Sequence, residues 1–153
     1  MSAFDPLWLL PLRAAALGLN LGMPTRYQQL QQAIAILAAP AAEQRTHLES
    51  FFPRYGSPLP PDFNVDELAL EFGDIYLATG DMLECGEISQ NAIYAVRPVD
   101  ELLEKWSGKH NSDFWTVGAL FEDARWEQVR QLASNALDRY PDEVGGSKFT
   151  KQT

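Results

Sequence analysis

Residues 64–86 have the sequence NVDELALEFGDIYLATGDMLECG, the best-defined amphipathic helix pattern in the chain. Asn64 is a favourable N-cap residue, and Gly86 stands where a glycine commonly follows the last turn of a helix. One side of the segment is apolar at helical spacing, and it consists of Leu68, Phe72, Ile75, Thr79 and Met82. The pattern predicts a helix over residues 65–85 that buries this side in a core.

The rest of the chain also has mainly helical signals. Apolar periodicity predicts further helices near residues 6–17, 26–39, 42–55, 99–106, 112–121 and 123–140. The segment 88–96 suits either a helix or a short strand, and the Arg97–Pro98 pair predicts a break or a kink after it. No Asn-Gly or Asp-Gly hairpin signal occurs. We therefore predict an all-α fold, a helical bundle of six or seven helices with helix or strand left open at 88–96.

The chain has 153 residues, which is the usual size of one domain. Residues 57–61 contain three prolines in four positions and predict a stiff connector. We expect this connector to join two halves of a single helical domain over residues 1–140. Residues 141–153 have few apolar side chains to bury and predict a flexible tail.

Composition excludes several classes of function. The chain has 12 basic and 21 acidic side chains, a net charge of −9. Binding to nucleic acid or to anionic lipid depends on Lys and Arg, so we expect neither partner. The single cysteine, Cys85, excludes an intrachain disulfide, and the apolar N-terminal run lacks the preceding positive region of a signal peptide. These features predict a cytoplasmic protein.

The acidic residues are concentrated in one stretch. Residues 62–96 contain eight acidic side chains and no basic one. Helical spacing places the acidic ones on a stripe with two leucines at its edge, and the predicted partner-binding residues are Glu67, Leu70, Glu71, Asp74, Leu77 and Asp81. Such a face suits a basic, partly apolar protein partner.

A second interpretation of the stripe remains open. Acidic runs are often solvated surface that keeps a protein soluble. Basic side chains from elsewhere would then fold back and neutralise the stripe, and the candidates are Arg97, Lys105, Arg125 and Arg130.

Motifs for catalysis are weak. The chain has two histidines, no Glu-x-x-His pair and no glycine-rich phosphate loop. Glu84 and Glu87 flank Cys85 and favour an inert thiol. Asp100 and Glu101 are explained by compensation of a helix dipole at a helix start. We therefore expect no catalytic residue, no metal site and no cofactor.

Two further hypotheses remain open. The first is a small-ligand-binding protein or enzyme with an aromatic pocket between helices, lined by Tyr94, Trp106, Trp115 and Trp126 with His110 as acid or base. The second is a homo-oligomer that pairs through Trp8 and the neighbouring leucines. The sequence does not decide the oligomeric state.

One pattern over residues 66–140 is familiar. It comprises Glu67 to Leu70, Asp74 and Tyr76, then Ser107-Gly108, Asn111, Trp115-Thr116, Ala119-Leu120, Trp126, Val129-Arg130, Leu132-Ala133 and Ala136-Leu137. It resembles a group of small uncharacterised bacterial helical proteins. By size and charge, the resemblance implies an immunity protein that neutralises a toxin, and it assigns no residue a role. Our main hypothesis is a non-catalytic protein-binding protein of the immunity, inhibitor or adaptor type with a basic partner such as a toxin.

Overall fold

The computed structural model describes residues 23–51, 60 and 63–139, and this part of the chain is an all-α bundle, as predicted. It has seven α-helices and a 3-10 segment, in the order α1 (Arg26–Ala38), α2 (Ala41–Phe51), α3 (Glu67–Tyr76), α4 (Thr79–Glu84), α5 (Gln90–Lys105), the 3-10 segment (Lys109–Trp115), α6 (Val117–Glu122) and α7 (Ala124–Arg139). None of the residues in these described ranges belongs to a strand.

Several expectations concern residues outside this description. They are the helix at 6–17, the interface around Trp8, the tail at 141–153 and all of the 57–61 connector except Pro60.

Side-chain caps begin three of the helices. Thr25 accepts the N–H of Gln28 at 3.0 Å, and the Gln28 side chain accepts the N–H of Thr25 at the same distance, so α1 begins with a capping box. Ser89 and Thr116 cap α5 and α6, each by accepting the backbone N–H three residues later. Because Thr116 starts a new helix, the single helix predicted over 112–121 is replaced by the end of the 3-10 segment and α6.

Residues 88–96 lead into and form the first half of α5, which settles the choice between helix and strand. Of the break or kink predicted at Arg97–Pro98, the break does not occur, because α5 continues through Pro98 to Lys105. A proline inside a helix costs roughly 3 kcal/mol. Burial of the apolar side of α5 offsets that cost, and the buried residues are Ala92, Ile93, Ala95, Val96, Val99 and Leu103.

The helix predicted over residues 65–85 is divided into α3 and α4. The N–H of Ala78 bonds the Ile75 carbonyl at 3.0 Å in a 3-10-type turn. The Thr79 hydroxyl donates to the Tyr76 carbonyl at 2.8 Å and so offers the backbone an alternative to the helical bond. The division interrupts the stripe of acidic side chains predicted along this segment.

The core lies where α7 packs against α1 and α5. The fully buried Trp126 stacks on Phe114 with ring centroids 4.5 Å apart, and its indole N–H donates to the Phe114 carbonyl at 2.6 Å. Trp115 meets Trp126 edge-on at 5.8 Å and donates its indole N–H to the Trp106 carbonyl at 3.0 Å. These contacts hold the 3-10 segment and the end of α5 against α7.

A buried polar pair joins four helices. Gln44 of α2 is fully buried and donates its amide to the Ile36 and Leu37 carbonyls of α1, at 3.1 Å each. Its side-chain oxygen accepts from Arg130 of α7 at 2.7 Å, and Arg130 also donates to the Leu120 carbonyl of α6 at 3.0 Å. The pair therefore donates to carbonyls in the last turns of α1 and α6, where the regular intrahelical bonds end.

We expect replacement of Trp126 by alanine to lower the free energy of unfolding by about 3–5 kcal/mol, because it leaves a cavity and removes the bond to Phe114. Trp126→Phe keeps a ring and should cost about 1–3 kcal/mol. Tyr94→Ala, at a half-exposed position, should cost under about 1 kcal/mol. Urea denaturation followed by circular dichroism measures all three. Equal costs for Trp126→Ala and Tyr94→Ala would contradict this description of the core.

Two glycines should respond to alanine with opposite signs. Gly86, which follows α4 as predicted, has φ +76°, where a side chain is strained. Gly73 lies inside α3, and a Cβ there would meet nothing within 4 Å. Gly73→Ala should therefore stabilise the fold by about 0.5–1 kcal/mol, and Gly86→Ala should destabilise it by about 1 kcal/mol. The same denaturation experiment checks both, and equal signs would refute the assignment.

Candidate functional site

Four of the six predicted partner-binding residues lie on the solvent side of α3 and its end. Leu70 is 51% exposed and Leu77 is 84% exposed. Asp74 is also exposed, and Glu67 is partly exposed. Within the described residues, neither Glu67 nor Asp74 forms an ion pair or a side-chain hydrogen bond. We call Glu67, Leu70, Asp74 and Leu77 the α3 ridge.

Glu71, the fifth predicted residue, holds α2 against α3. Its Oε1 lies 2.8 Å from Nε2 of His47, whose side chain is buried. The His47 ring meets the Phe51 ring edge-on, with centroids 4.9 Å apart. Glu71 therefore has a structural contact that an interacting partner would have to break.

Asp81, the sixth predicted residue, lies in the first turn of α4 and belongs to an ion-pair cluster that joins α1, α4 and the turn after α4. Arg26 donates to both carboxylate oxygens of Glu87, at 2.9 and 2.8 Å. Its Nη1 lies 2.9 Å from Oδ2 of Asp81. The hydrogen bond from Arg26 holds the pKa of Glu87 below its ordinary value. Asp81 and Glu87 thus share one positive partner, Arg26, within the fold.

The four basic residues considered as partners of the stripe make other contacts. Arg125 pairs with Asp113 and Asp123, and Arg130 contacts Glu127 and Gln44. Arg97 lies over the ring of Tyr94, and Lys105 lies over the ring of Trp106. Part of the stripe is neutralised, but by Arg26, a residue that the sequence analysis did not consider.

A groove of about 470 Å³ lies between α3 and α5 and is bordered by the 3-10 segment. Its lining consists of Asn64, Asp66, Ala69, Leu70, Phe72, Gly73, Asp100, Leu103, Glu104, Ser107, Gly108, Lys109, Ser112 and Trp115. Leu70 belongs both to this groove and to the α3 ridge, so the two surfaces are continuous. We call this cavity the α3–α5 groove.

The start of α3 is tied to the 3-10 segment, and this fixes one end of the groove. The N–H of Val65 donates to the carbonyl of Trp115 at 2.9 Å. Asn64 pairs with Thr116 in an isolated β-bridge. The side chain of Asn64 also accepts the N–H of Asp66 at 3.0 Å. These bonds place Asp66 beside the groove wall formed by Trp115.

Three carboxylates line this partly apolar groove, Asp66 from the start of α3 and Asp100 and Glu104 from α5. None of them is ion-paired within the described part of the chain. Burial raises the pKa of Asp100 above its ordinary value, and repulsion from Glu104 and Glu101 adds to the effect. An unpaired carboxylate with a raised pKa in a cleft, as at Asp100, is typical of functional sites.

Asp100 and Glu101 do not compensate the dipole at a helix start, although their sequence context predicted that role. Because α5 begins at Gln90, both residues lie in its second half, where the dipole gives carboxylates no advantage. The missed signal was the spacing of Asp100 and Glu104, one helical turn apart with Leu103 beside them. That spacing marks an acidic and apolar helix face once the helix is continued through Pro98.

The aromatic residues of the ligand-pocket hypothesis do not form a common wall. Trp126 is fully buried against Phe114, and Tyr94 is half exposed beside Arg97. Of the four proposed aromatics, Trp115 lines the α3–α5 groove. The others serve the core or the surface.

Groups for catalysis or metal binding are sparse in the described residues. No set of three or more His, Cys, Asp and Glu side chains there could hold a metal ion. His110 and Cys85 are exposed, and neither lines the α3–α5 groove.

A second cavity of about 360 Å³ lies between α1 and α3. Its described lining is Gln29, Gln32, Ala33, Ile36, His47, Glu71, Asp74 and Ile75. The His47–Glu71 pair thus lies in its wall. Asp74 connects this cavity to the α3 ridge.

No protein-family model, curated protein or solved structure matches this chain. The interpretation of the site therefore rests on its own residues. No helix among the described residues has both the length and the apolar composition needed to cross a bilayer.

We expect Asp100→Asn to raise the free energy of unfolding at neutral pH. Because the folded protein raises the pKa of Asp100, its ionised form is less favourable in the folded than in the unfolded chain. The gain should therefore appear as the pH rises above the ordinary aspartate pKa of about 4 and should vanish below it. It should reach at most about 1 kcal/mol. Urea denaturation at several pH values measures this gain.

The matched control is Glu101→Gln, one residue along the same helix. It should give a smaller gain, because it removes only part of the repulsion on Asp100. A loss of stability in Asp100→Asn at neutral pH would contradict the description of Asp100 as an unpaired, partly desolvated carboxylate.

Proposed function

We propose that this chain is a non-catalytic, cytoplasmic protein-binding protein of the immunity, inhibitor or adaptor type. It binds a basic partner protein, such as a toxin, on the α3 ridge and the adjoining α3–α5 groove. The observation that carries the proposal is the set of unpaired carboxylates Asp66, Asp100 and Glu104 around a groove with apolar walls.

Energetics support this interpretation. Carboxylates that are partly removed from water and close to each other destabilise the folded state. Arg26 pairs with Asp81 and Glu87, but neither Asp100 nor Glu104 forms an ion pair within the described residues. A basic partner would supply the missing positive charge, and the net charge of −9 would speed its approach.

The apolar part of the surface supports a protein partner in particular. Leu70 and Leu77 are exposed at 51% and 84%. Trp115 and Leu103 add apolar area inside the groove. An apolar centre with a charged rim is the usual composition of a protein–protein interface.

A small cationic ligand is the second candidate. The α3–α5 groove has a volume of about 470 Å³, within the usual range of roughly 300–1,000 Å³ for small-molecule sites. This ligand would use the groove alone, whereas a protein partner would also cover Leu77 and Asp74 on the ridge. Variants of the ridge therefore distinguish the two candidates.

We expect the double variant Asp100→Asn, Glu104→Gln to slow association with the partner by about five- to tenfold at low salt. The partner is first captured from host lysate on the wild-type chain and identified by mass spectrometry. Association rates of the purified partner are then measured at two salt concentrations. The difference between variant and wild type should shrink at high salt, because salt screens the lost charges.

The charge-matched control is Glu122→Gln, Asp138→Asn, which removes two exposed carboxylates from α6 and α7. It should change the association rate by less than about twofold. Equal slowing in both double variants would show that net charge alone determines the association rate, and it would refute the site. A wild-type chain that captures no protein at low salt would contradict the function itself. The ridge variant Leu77→Ser, Asp74→Asn should weaken the binding of a protein partner and leave the binding of a small ligand unchanged.

A further inference from the structure

The walls of the α3–α5 groove differ in a way that bears on the shape of its occupant. The α3 wall has two small residues one turn apart, Ala69 and Gly73. A Cβ placed on Gly73 would meet nothing within 4 Å, so no packing contact in the described residues requires a glycine there. A glycine inside a helix costs about 1 kcal/mol relative to alanine. Another chain can therefore come close to the backbone of α3 at Gly73. The fold itself gains no stability from a glycine at this position.

The α5 wall has charge at the same spacing. Asp100 and Glu104 lie four residues apart on one helix, so their side chains are neighbours along its surface. Asp66 adds a third carboxylate at the start of α3. Lys109 lines the same groove, but none of the three carboxylates forms an ion pair within the described residues.

The backbone of the groove walls restricts what can bind there. Both long walls are α-helices, whose main-chain groups bond within each helix. An extended peptide would find no strand edge and would bury its own N–H and C=O groups without partners. A helix satisfies its own backbone and can lie between two helices by ordinary helix packing.

We infer, given the proposed protein-binding function, that the partner inserts an amphipathic basic helix into the α3–α5 groove. A stripe of small or apolar residues on this helix lies against Ala69, Gly73 and Leu70. Lys or Arg residues spaced one turn apart on its flank meet Asp100 and Glu104. The inserted helix therefore fits the groove in two ways. Its basic residues pair with the carboxylates of the α5 wall, and its small or apolar stripe allows close approach to the α3 wall.

The test uses a synthetic peptide of about 18 residues, long enough to be helical in water. It carries an Ala and Leu stripe flanked by Lys residues four positions apart. Binding to the full chain is measured by fluorescence anisotropy at low salt. Two control peptides have the same length: a scrambled sequence of identical composition, and a version with Glu in place of every Lys.

Variants of the chain test the two walls separately. Gly73→Leu fills the groove next to α3 and should weaken binding at least tenfold, whereas Gly73→Ala should weaken it less than threefold. Asp100→Asn, Glu104→Gln should weaken binding about fivefold, and Glu122→Gln, Asp138→Asn should leave it unchanged. Circular dichroism confirms the folding of each variant, and a leucine at Gly73 suits a helix and has open space.

The outcomes separate this inference from the proposed function. Preferential binding of the amphipathic peptide, lost in Gly73→Leu, supports the inserted helix. Equal binding of the scrambled peptide, or full binding by Gly73→Leu, overturns it. A protein partner still captured from lysate by Gly73→Leu would then keep the protein-binding function and exclude the groove. Light scattering that shows a dimer for wild type and a monomer for Gly73→Leu would assign the groove to a second copy and also overturn the inference.

Discussion

The contact between Trp126 and Phe114 is the constraint on which the candidate site depends. A 3-10 helix has weaker hydrogen-bond geometry than an α-helix and needs side-chain anchors. Trp126 provides one by stacking on Phe114 and by donating to its carbonyl. Trp115, the residue after Phe114, accepts the N–H of Val65 with its carbonyl and so fixes the start of α3. The position of one groove wall thus follows from an aromatic contact in the core.

The carboxylates of this acidic chain differ in their surroundings. Some join helices through ion pairs, and others form no ion pair within the described residues. Arg26 of α1 pairs with Asp81 of α4 and with Glu87 in the turn after α4, and Glu71 supports the buried His47. Asp100 remains without such compensation, and its raised pKa records the cost. The carboxylates that join helices and the carboxylate that is left unpaired are therefore different residues.

The local elements could be predicted from the sequence where a local interaction determines them. Thr25 begins α1 with a capping box, and Gly86 ends α4 with a positive φ, as the residue types indicate. The helix does not break at Pro98, because burial of one side of α5 outweighs the cost of a proline, and only tertiary contacts reveal that burial. The groove was missed for the same reason: it combines residues from α3 and α5 that are some 30 positions apart. The shared position of the α3 ridge residues could be predicted, because all four lie on one helical face.

The most direct test of the α3–α5 groove as a binding site is residue-level mapping by nuclear magnetic resonance. The ¹⁵N-labelled chain is titrated with the basic amphipathic peptide, and changes in amide chemical shift are assigned to positions. The account predicts that the largest changes cluster at residues 66–73 and 100–109, on the two walls of the groove and its border with the 3-10 segment. Changes that cluster instead on α1 and α2, or that spread evenly over the acidic surface, would contradict it.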